Sequence, residues 1–242
     1  MGTQLTGSVQ VAAQGIFSES ASALHNVGEL IHTNDGRKLR YCKVGATALV
    51  AGKLYQAAAE DTSNMQDLTA TAAAAAATSM VTTTTVTLAA DLLAGGLLTV
   101  VSGTTGAGFT YKIKGNTAAA GAVTTFSLED PVLVATSGTV KIDVKQNPYQ
   151  SVIVAPTTAT SAAVGFAVFN VTALYFGWLV THGPTACLAQ GTVVVGDDLV
   201  PAETTNAGSV VSRADASLSN TVGKALTGIA STDYGLVFAS IE

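Results

Sequence analysis

The sequence predicts an all-β protein: an antiparallel barrel or sandwich domain with an inserted second β-region and an extended N-terminal arm. Three observations carry this reading. Apolar and polar residues alternate with period two, most clearly where Phe109, Tyr111 and Ile113 oppose Thr110, Lys112 and Lys114, and where Val140, Ile142 and Val144 oppose Lys141, Asp143 and Lys145. That is the pattern of strands with one wet face. Turn residues such as Asn34-Asp35-Gly36, Gly115-Asn116, Ser137-Gly138 and Gly183-Pro184 punctuate the chain, and strands at about 8–12-residue spacing with turns between them read as a barrel or sandwich. Threonine is abundant, at 34 of 242 residues, and β-branched side chains favour strands.

Taken in order, residues 1–30 are small and polar, with scattered apolar positions and no proline. They read as an extended arm that orders against a neighbouring copy or another protein. The tight-turn signal Asn34-Asp35-Gly36 then opens a strand whose Leu39 and Tyr41 face one way and whose Lys38 and Arg40 face the other. Residues 45–55 read as a short strand, a glycine turn and a second strand. Six alanines at 72–77 are too few to hold a helix alone. The β-branched run 81–87 favours strand, so this tract is expected to be a surface loop or a single helical turn leading into a strand. Residues 97–155 carry the clearest alternation. Residues 162–182 read as two apolar strands around Asn170, with Trp178, the only tryptophan, as a core anchor. Short strands follow at 192–195, 210–211 and 236–241. Ala48-Leu49-Val50-Ala51-Gly52 weakly echoes Ala186-Cys187-Leu188-Ala189, which suggests that the two halves pair in one domain. The expected organisation is an arm at 1–30, a main β-domain from 31–87 and 156–242, and an inserted β-region at 88–155.

Charged residues make up only 11% of the chain, against about 25% in a typical soluble protein. Such a chain has few groups to keep an isolated surface soluble, so part of that surface is expected to lie under neighbours. The net charge of −5 argues against nucleic acid as a partner, because phosphate binding needs clustered Lys and Arg. The densest basic cluster, Arg37, Lys38, Arg40 and Lys43, is short and interleaved with apolar residues, and reads as a solvated strand face. Two cysteines, Cys42 and Cys187, are too few for a disulfide scaffold and read as buried thiols of a protein made in a reducing cytoplasm. The N-terminal residues lack a secretory signal pattern. The most apolar stretch, 166–180, is interrupted by Asn170 and Thr172 and is shorter than the about 20 residues a membrane helix needs, so no membrane partner is expected.

No catalytic, cofactor-binding or metal-binding residue is assigned, and the chain is not expected to be an enzyme. Gly103 and Gly108 have phosphate-loop spacing, but Phe109-Thr110 stands where Lys-Ser/Thr is required. His25, His32 and His182 share no metal-binding frame and read as surface or interface residues. In the acidic pairs Glu60-Asp61, Glu129-Asp130 and Asp197-Asp198, adjacent strand residues point to opposite faces. Asp197-Asp198 follows Gly196 and reads as a solvated turn. No serine sits in a G-x-S-x-G elbow, and neither cysteine has a histidine beside it in sequence. The sequon Asn170-Val171-Thr172 falls within an apolar strand and carries no weight.

Several segments together resemble phage virion proteins that decorate or cement the head. They are 33–41 (Thr-Asn-Asp-Gly-Arg-Lys-Leu-Arg-Tyr) continuing through Gly45 to Tyr55, then 175–184 around Gly177-Trp178, and Gly223-Lys224-Ala225-Leu226 with the closing strand 235–241. The block 108–117, with Leu128-Glu129-Asp130-Pro131, fits the same picture. The resemblance implies a bacteriophage capsid decoration, or cement, protein. Such a protein is a non-catalytic virion component on the outer capsid surface, made in the host bacterial cytoplasm. It bridges major capsid protein subunits and associates with itself, with a homotrimer favoured and a dimer possible. The alternative is a phage tail or adhesin component that binds host surface glycans, for which Tyr149, Tyr175 and Trp178 are the candidate sugar-stacking residues. A dispersed hydrolytic site would require Asp197, Asp198 and His182 to converge.

Overall fold

The alternating segments of the sequence become pleated strands, and strand makes up 43% of the structure. The computed structural model describes residues 14–214 and 220–242. In chain order the first strands are β1 (Leu30–His32), β2 (Lys38–Lys43), β3 (Leu54–Gln56), β4 (Leu68–Ala70), β5 (Ser79–Val81), β6 (Val86–Leu88), β7 (Leu97–Ser102), β8 (Thr110–Asn116) and β9 (Ala119–Ala122). They are followed by β10 (Thr125–Leu128), β11 (Val140–Lys145), β12 (Ile153–Val154), β13 (Ala163–Ala167), β14 (Phe176–Leu188), β15 (Asp198–Pro201), β16 (Val210–Ser212), β17 (Gly223–Ala225) and β18 (Tyr234–Ser240). The strand pairs are antiparallel and build a half-barrel and a nearly closed barrel. Among the described residues there is one short helix, α1 (Thr62–Met65), with Asp61 as its N-cap, whose side chain accepts from the Asn64 N–H.

The chain divides into two units. The first comprises the described residues up to Ala58 together with Pro148–Glu242. It holds a ten-stranded open sheet with the path β12-β3-β13-β14-β18-β17-β15-β16, β2 pairing with β14, and β1 with β2. The 13-residue β14 organises this sheet. Its first half pairs with β2 and β13, and its second half with β18. Trp178, Tyr41, Leu39, Phe166 and Val237 fill one core, and Tyr55, Leu49, Val152 and Leu179 a second, so Trp178 is a core anchor as its sequence setting predicts.

The second unit is Ala59–Asn147. Its sheet runs β4-β11-β7-β8-β10-β5. The Thr71 N–H donates to the Val81 carbonyl at 2.8 Å and Ala70 bridges Thr82, so the first and last strands meet and the barrel nearly closes. Phe126, Tyr111, Ile113, Val140, Ile142 and Val144 point into its core, while Lys112 and Lys114 are exposed. The alternation therefore assigned both faces of these strands correctly.

Several expectations need correction. The inserted unit begins at 59 and ends at 147, not at 88 and 155. Strands β4 and β5 pair with β11 and β10 of the second barrel, and β12 pairs with β3 of the first unit. The run 81–87 is not one strand. Thr82 and Thr83 turn their hydroxyls onto the carbonyls of Thr124 and Thr69, and the Thr84 hydroxyl takes the Thr69 N–H. Threonine side chains here compete with the strand ladder for backbone partners. The alanines at 72–77 form the expected loop leading into β5. Helix α1 was not foreseen, although Asp61 at its cap is the signal that marks it.

The arm also departs from expectation. Residues 14–29 lie against their own unit: Gln14 is buried, its amide donates to the Phe176 carbonyl at 2.9 Å, and it accepts from the Tyr41 hydroxyl at 2.7 Å. The Trp178 indole donates to the Gln14 carbonyl, and Ser20 bridges Phe176. This stretch satisfies its backbone on the parent domain and needs no neighbour to do so. The part of the expected arm at 1–13 lies outside the described residues.

Candidate interaction face

The residues singled out in the sequence are mostly engaged in structure-holding contacts. Arg37 pairs with Asp35 at 2.8 Å, Arg40 with Glu242 at 3.0 Å, and the Lys43 ammonium lies 5.9 Å from the centre of the Phe176 ring. The basic cluster is thus half-buried, with Arg37, Arg40 and Lys43 each engaged by a partner, rather than a solvated face. Cys42 and Cys187 are both free and buried, and burial pushes each thiol up to about 12.

His25 is not a surface residue. Its ring packs 5.2 Å from both Tyr41 and Trp178, with Nδ1 3.1 Å from Glu29 Oε1. His32 is exposed, and His182 Nδ1 lies 3.1 Å from the Glu242 carbonyl. Asp198 pairs with Lys224. Asp197 accepts from the Ser212 hydroxyl and the Val194 N–H, which together hold its carboxyl below the usual range. These two carboxylates and His182 are each committed to different partners. Glu60 faces Lys145, and Glu129 faces Lys112. Among the described residues no group of three or more His, Cys, Asp or Glu side chains is placed to hold a metal ion. Trp178 and Tyr149 are buried and unavailable for sugar stacking.

A polar lock closes one end of the first unit. The Glu242 carboxylate receives Arg40 Nε at 3.1 Å, the Tyr149 hydroxyl at 3.1 Å and the Thr181 hydroxyl at 3.3 Å. Burial pushes the Glu242 carboxyl upward, but Arg40 and the two hydroxyls outweigh it and hold the group below its ordinary value. Burial and the Glu242 charge push the Tyr149 phenol up.

The outer face of β18 is apolar and largely open to solvent, although the Phe238 ring packs edge-on against His182 at 5.0 Å. The strand alternates: Val237 and Ala239 enter the core, and Tyr234, Leu236 and Phe238 point out, at 52%, 45% and 37% exposure. Their cross-strand neighbours on β14 are Leu188, Ala186 and Pro184. Phe17, at 61% exposure, extends the same surface into a groove of ≈ 500 Å³. Among the described residues Arg37 is the only charged side chain lining that groove, and its charge is already met by Asp35. The Tyr234 ring can lie along the groove because position 52 is glycine. A Cβ there would come within 2.7 Å of the ring, and its φ of +77° already requires glycine. A sheet whose inner and outer faces are both apolar is buried on both sides in folded assemblies, and contiguous apolar surface of this kind marks interaction sites. Sequence reasoning placed a strand at 236–241 but did not register that its alternate residues, 234, 236 and 238, are large and apolar on the solvent side.

The chain matches no known family model, no curated protein and no solved structure.

Proposed function

We propose that this chain is a structural virion protein that binds the outer surface of a phage capsid and bridges major capsid protein subunits. The observation that carries the reading is the outward apolar stripe Tyr234-Leu236-Phe238 with Pro184, Ala186 and Phe17, on a chain with only 11% charged residues. Such a stripe is suited to a protein surface and poorly suited to solvent, a membrane headgroup layer or phosphate. The low charge is consistent with a molecule that works while packed among neighbours. A protein that binds the assembled lattice but not free subunits stabilises it by linkage, and many copies on a repeating surface act through multivalency. Self-association as a homotrimer fits the same face.

The first test is copy number in purified particles against the major capsid protein. One copy or one trimer per lattice unit is the expected result. A count of a few to tens per particle would overturn the cement reading and move the protein to the tail. The second is Leu236→Lys, which places a charge in the middle of the stripe. It should abolish capsid occupancy while the chain still folds.

A further inference from the structure

We propose that the second unit carries a saccharide-binding groove on the outer wall of its barrel, bounded by Asp91, Lys114, Thr125, Ser127 and Ser79. The inference is independent of the capsid reading and stands or falls by itself.

The groove has a volume of ≈ 800 Å³, within the range of about 300–1,000 Å³ that small-molecule sites occupy. Three local irregularities converge on it. Asp91 holds a φ of 54°, a left-handed conformation that Asp tolerates only at some cost. It is fixed there by Asn116, whose carbonyl accepts the Asp91 N–H at 2.9 Å and whose side chain takes the Leu93 N–H and donates to the Ala89 carbonyl. The Asp91 carboxylate then lies over Gly115, where a Cβ would meet Oδ1 at 2.4 Å, so glycine at 115 is what lets the carboxylate sit in the groove. Opposite β10, β8 is bulged where Ser127 pairs with Gly115 and Leu128 with Ile113, which leaves Lys114 as the extra residue. Bulges recur where a side chain must be re-aimed at a site.

The chemistry of the lining selects the ligand. The Asp91 carboxylate and the Lys114 ammonium are exposed, and neither makes a hydrogen bond or ion pair with another described residue. Glu129 at the groove's end is matched by Lys112, so the two signs of charge balance. A phosphate would meet the Asp91 carboxylate, a metal ion would meet the Lys114 ammonium, and an apolar ligand would find only Leu128, which is itself buried. An added peptide strand has no vacant edge here, because β10 lies between β8 and β5. A neutral polyhydroxy ligand fits every group: the carboxylate accepts from a pair of adjacent hydroxyls, the ammonium donates to a hydroxyl or ring oxygen, and Ser127, Thr125 and Ser79 do either. Among the described residues no aromatic side chain lines the groove, so binding by a single copy is weak and gains strength from multivalent display.

The test is binding of the full chain to immobilised neutral hexose and N-acetylhexosamine oligosaccharides, presented at high density. At least one should bind and should be displaced by the free sugar. Asp91→Asn keeps the residue type that tolerates φ of 54° and removes only the charge, and should weaken binding about tenfold. Ser127→Trp fills the groove and should abolish binding, and Lys114→Ala should weaken it without touching the core. Leu236→Lys, on the first unit, should leave saccharide binding unchanged, which separates this result from the capsid test. Absence of binding across the panel, or binding that Asp91→Asn, Lys114→Ala and a folded Ser127→Trp all leave intact, would overturn the assignment.

Discussion

The two units solve the edge problem of a β-sheet in different ways. The second unit brings β5 round to β4, so its six-stranded sheet leaves almost no edge open, and the wall of that sheet carries Lys112, Lys114 and Ser127. The first unit stays open. Its path ends at β12 and β16, β1 pairs on one side only, and the outer face of β18 is apolar. Closure removes the unpaired N–H and C=O groups that template association, and an open sheet must manage them. The lesson is that the same residue types, alternating with the same period, give a self-sufficient barrel in one unit and an association-ready sheet in the other. What differs is the make-up of the outer walls: Lys112, Lys114 and Ser127 stand alongside Leu97 and Val101 in the second unit, whereas β18 of the first presents Tyr234, Leu236 and Phe238 at successive outward positions.

The largest expected effects test whether each unit rests on its own core. Trp178→Ala removes the largest fully buried side chain of the first unit and Phe126→Ala that of the second, and each should cost about 3–5 kcal/mol. Hydrogen exchange should accelerate in β14 and β18 for the first variant and in β8 and β10 for the second. Uniform loss of protection along the whole chain in both variants would break the division into two units. The probes are conveniently segregated, since Trp178, Cys42 and Cys187 all belong to the first unit. Indole fluorescence and thiol reactivity should report its unfolding alone.

A smaller effect tests how the N-terminal segment is held. Gln14→Ala removes the acceptor of the Tyr41 hydroxyl proton and one of the two donors to the Phe176 carbonyl, which keeps the Ser20 N–H. It should cost about 1–3 kcal/mol, read as a lower midpoint in the fluorescence-detected transition. An unchanged midpoint would mean that residues 14–29 contribute nothing to the first unit.

Smaller still is the pH dependence at Glu242. Its folded carboxyl lies below the unfolded value, so the unfolded state binds more protons through that window and stability rises with pH there. The contribution is fully present above the unfolded value of 4.5 and is lost as pH falls through the folded one. Because the carboxylate is partly solvent-screened, it is worth about 1 kcal/mol or less. Glu242→Gln should flatten the acid limb of the first unit's stability curve, and an unaltered limb would remove the polar lock from the account.

The smallest effect on folding belongs to the residue with the largest expected effect on association. Leu236→Lys exchanges one exposed side chain for another and should change stability by no more than about 0.5 kcal/mol. A larger loss in thermal unfolding would mean that Leu236 is a packing residue of its own unit, and the contrast between the two outer walls would disappear.

The sequence by itself determined the secondary structure and the sidedness of most strands. Period-two alternation placed Tyr111, Ile113, Val140, Ile142 and Val144 inward and Lys112 and Lys114 outward, because a pleat sends neighbours to opposite faces whatever the fold. It also marked Trp178 and both cysteines as buried, since large apolar groups and thiols seldom stay in water. Tertiary structure decided what depends on partners distant along the chain. Whether residues 68–81 belonged to the first or second unit turned on pairing with β10 and β11, which no local pattern encodes. The same is true of Thr82 and Thr83, whose hydroxyls found the carbonyls of Thr124 and Thr69. His25 gave no sign of burial until Tyr41 and Trp178 closed around it. The apolar stripe on β18 and the groove beneath Asp91 are likewise products of assembly: each is made of residues that are ordinary one by one and acquire meaning only when separate strands place them on one surface.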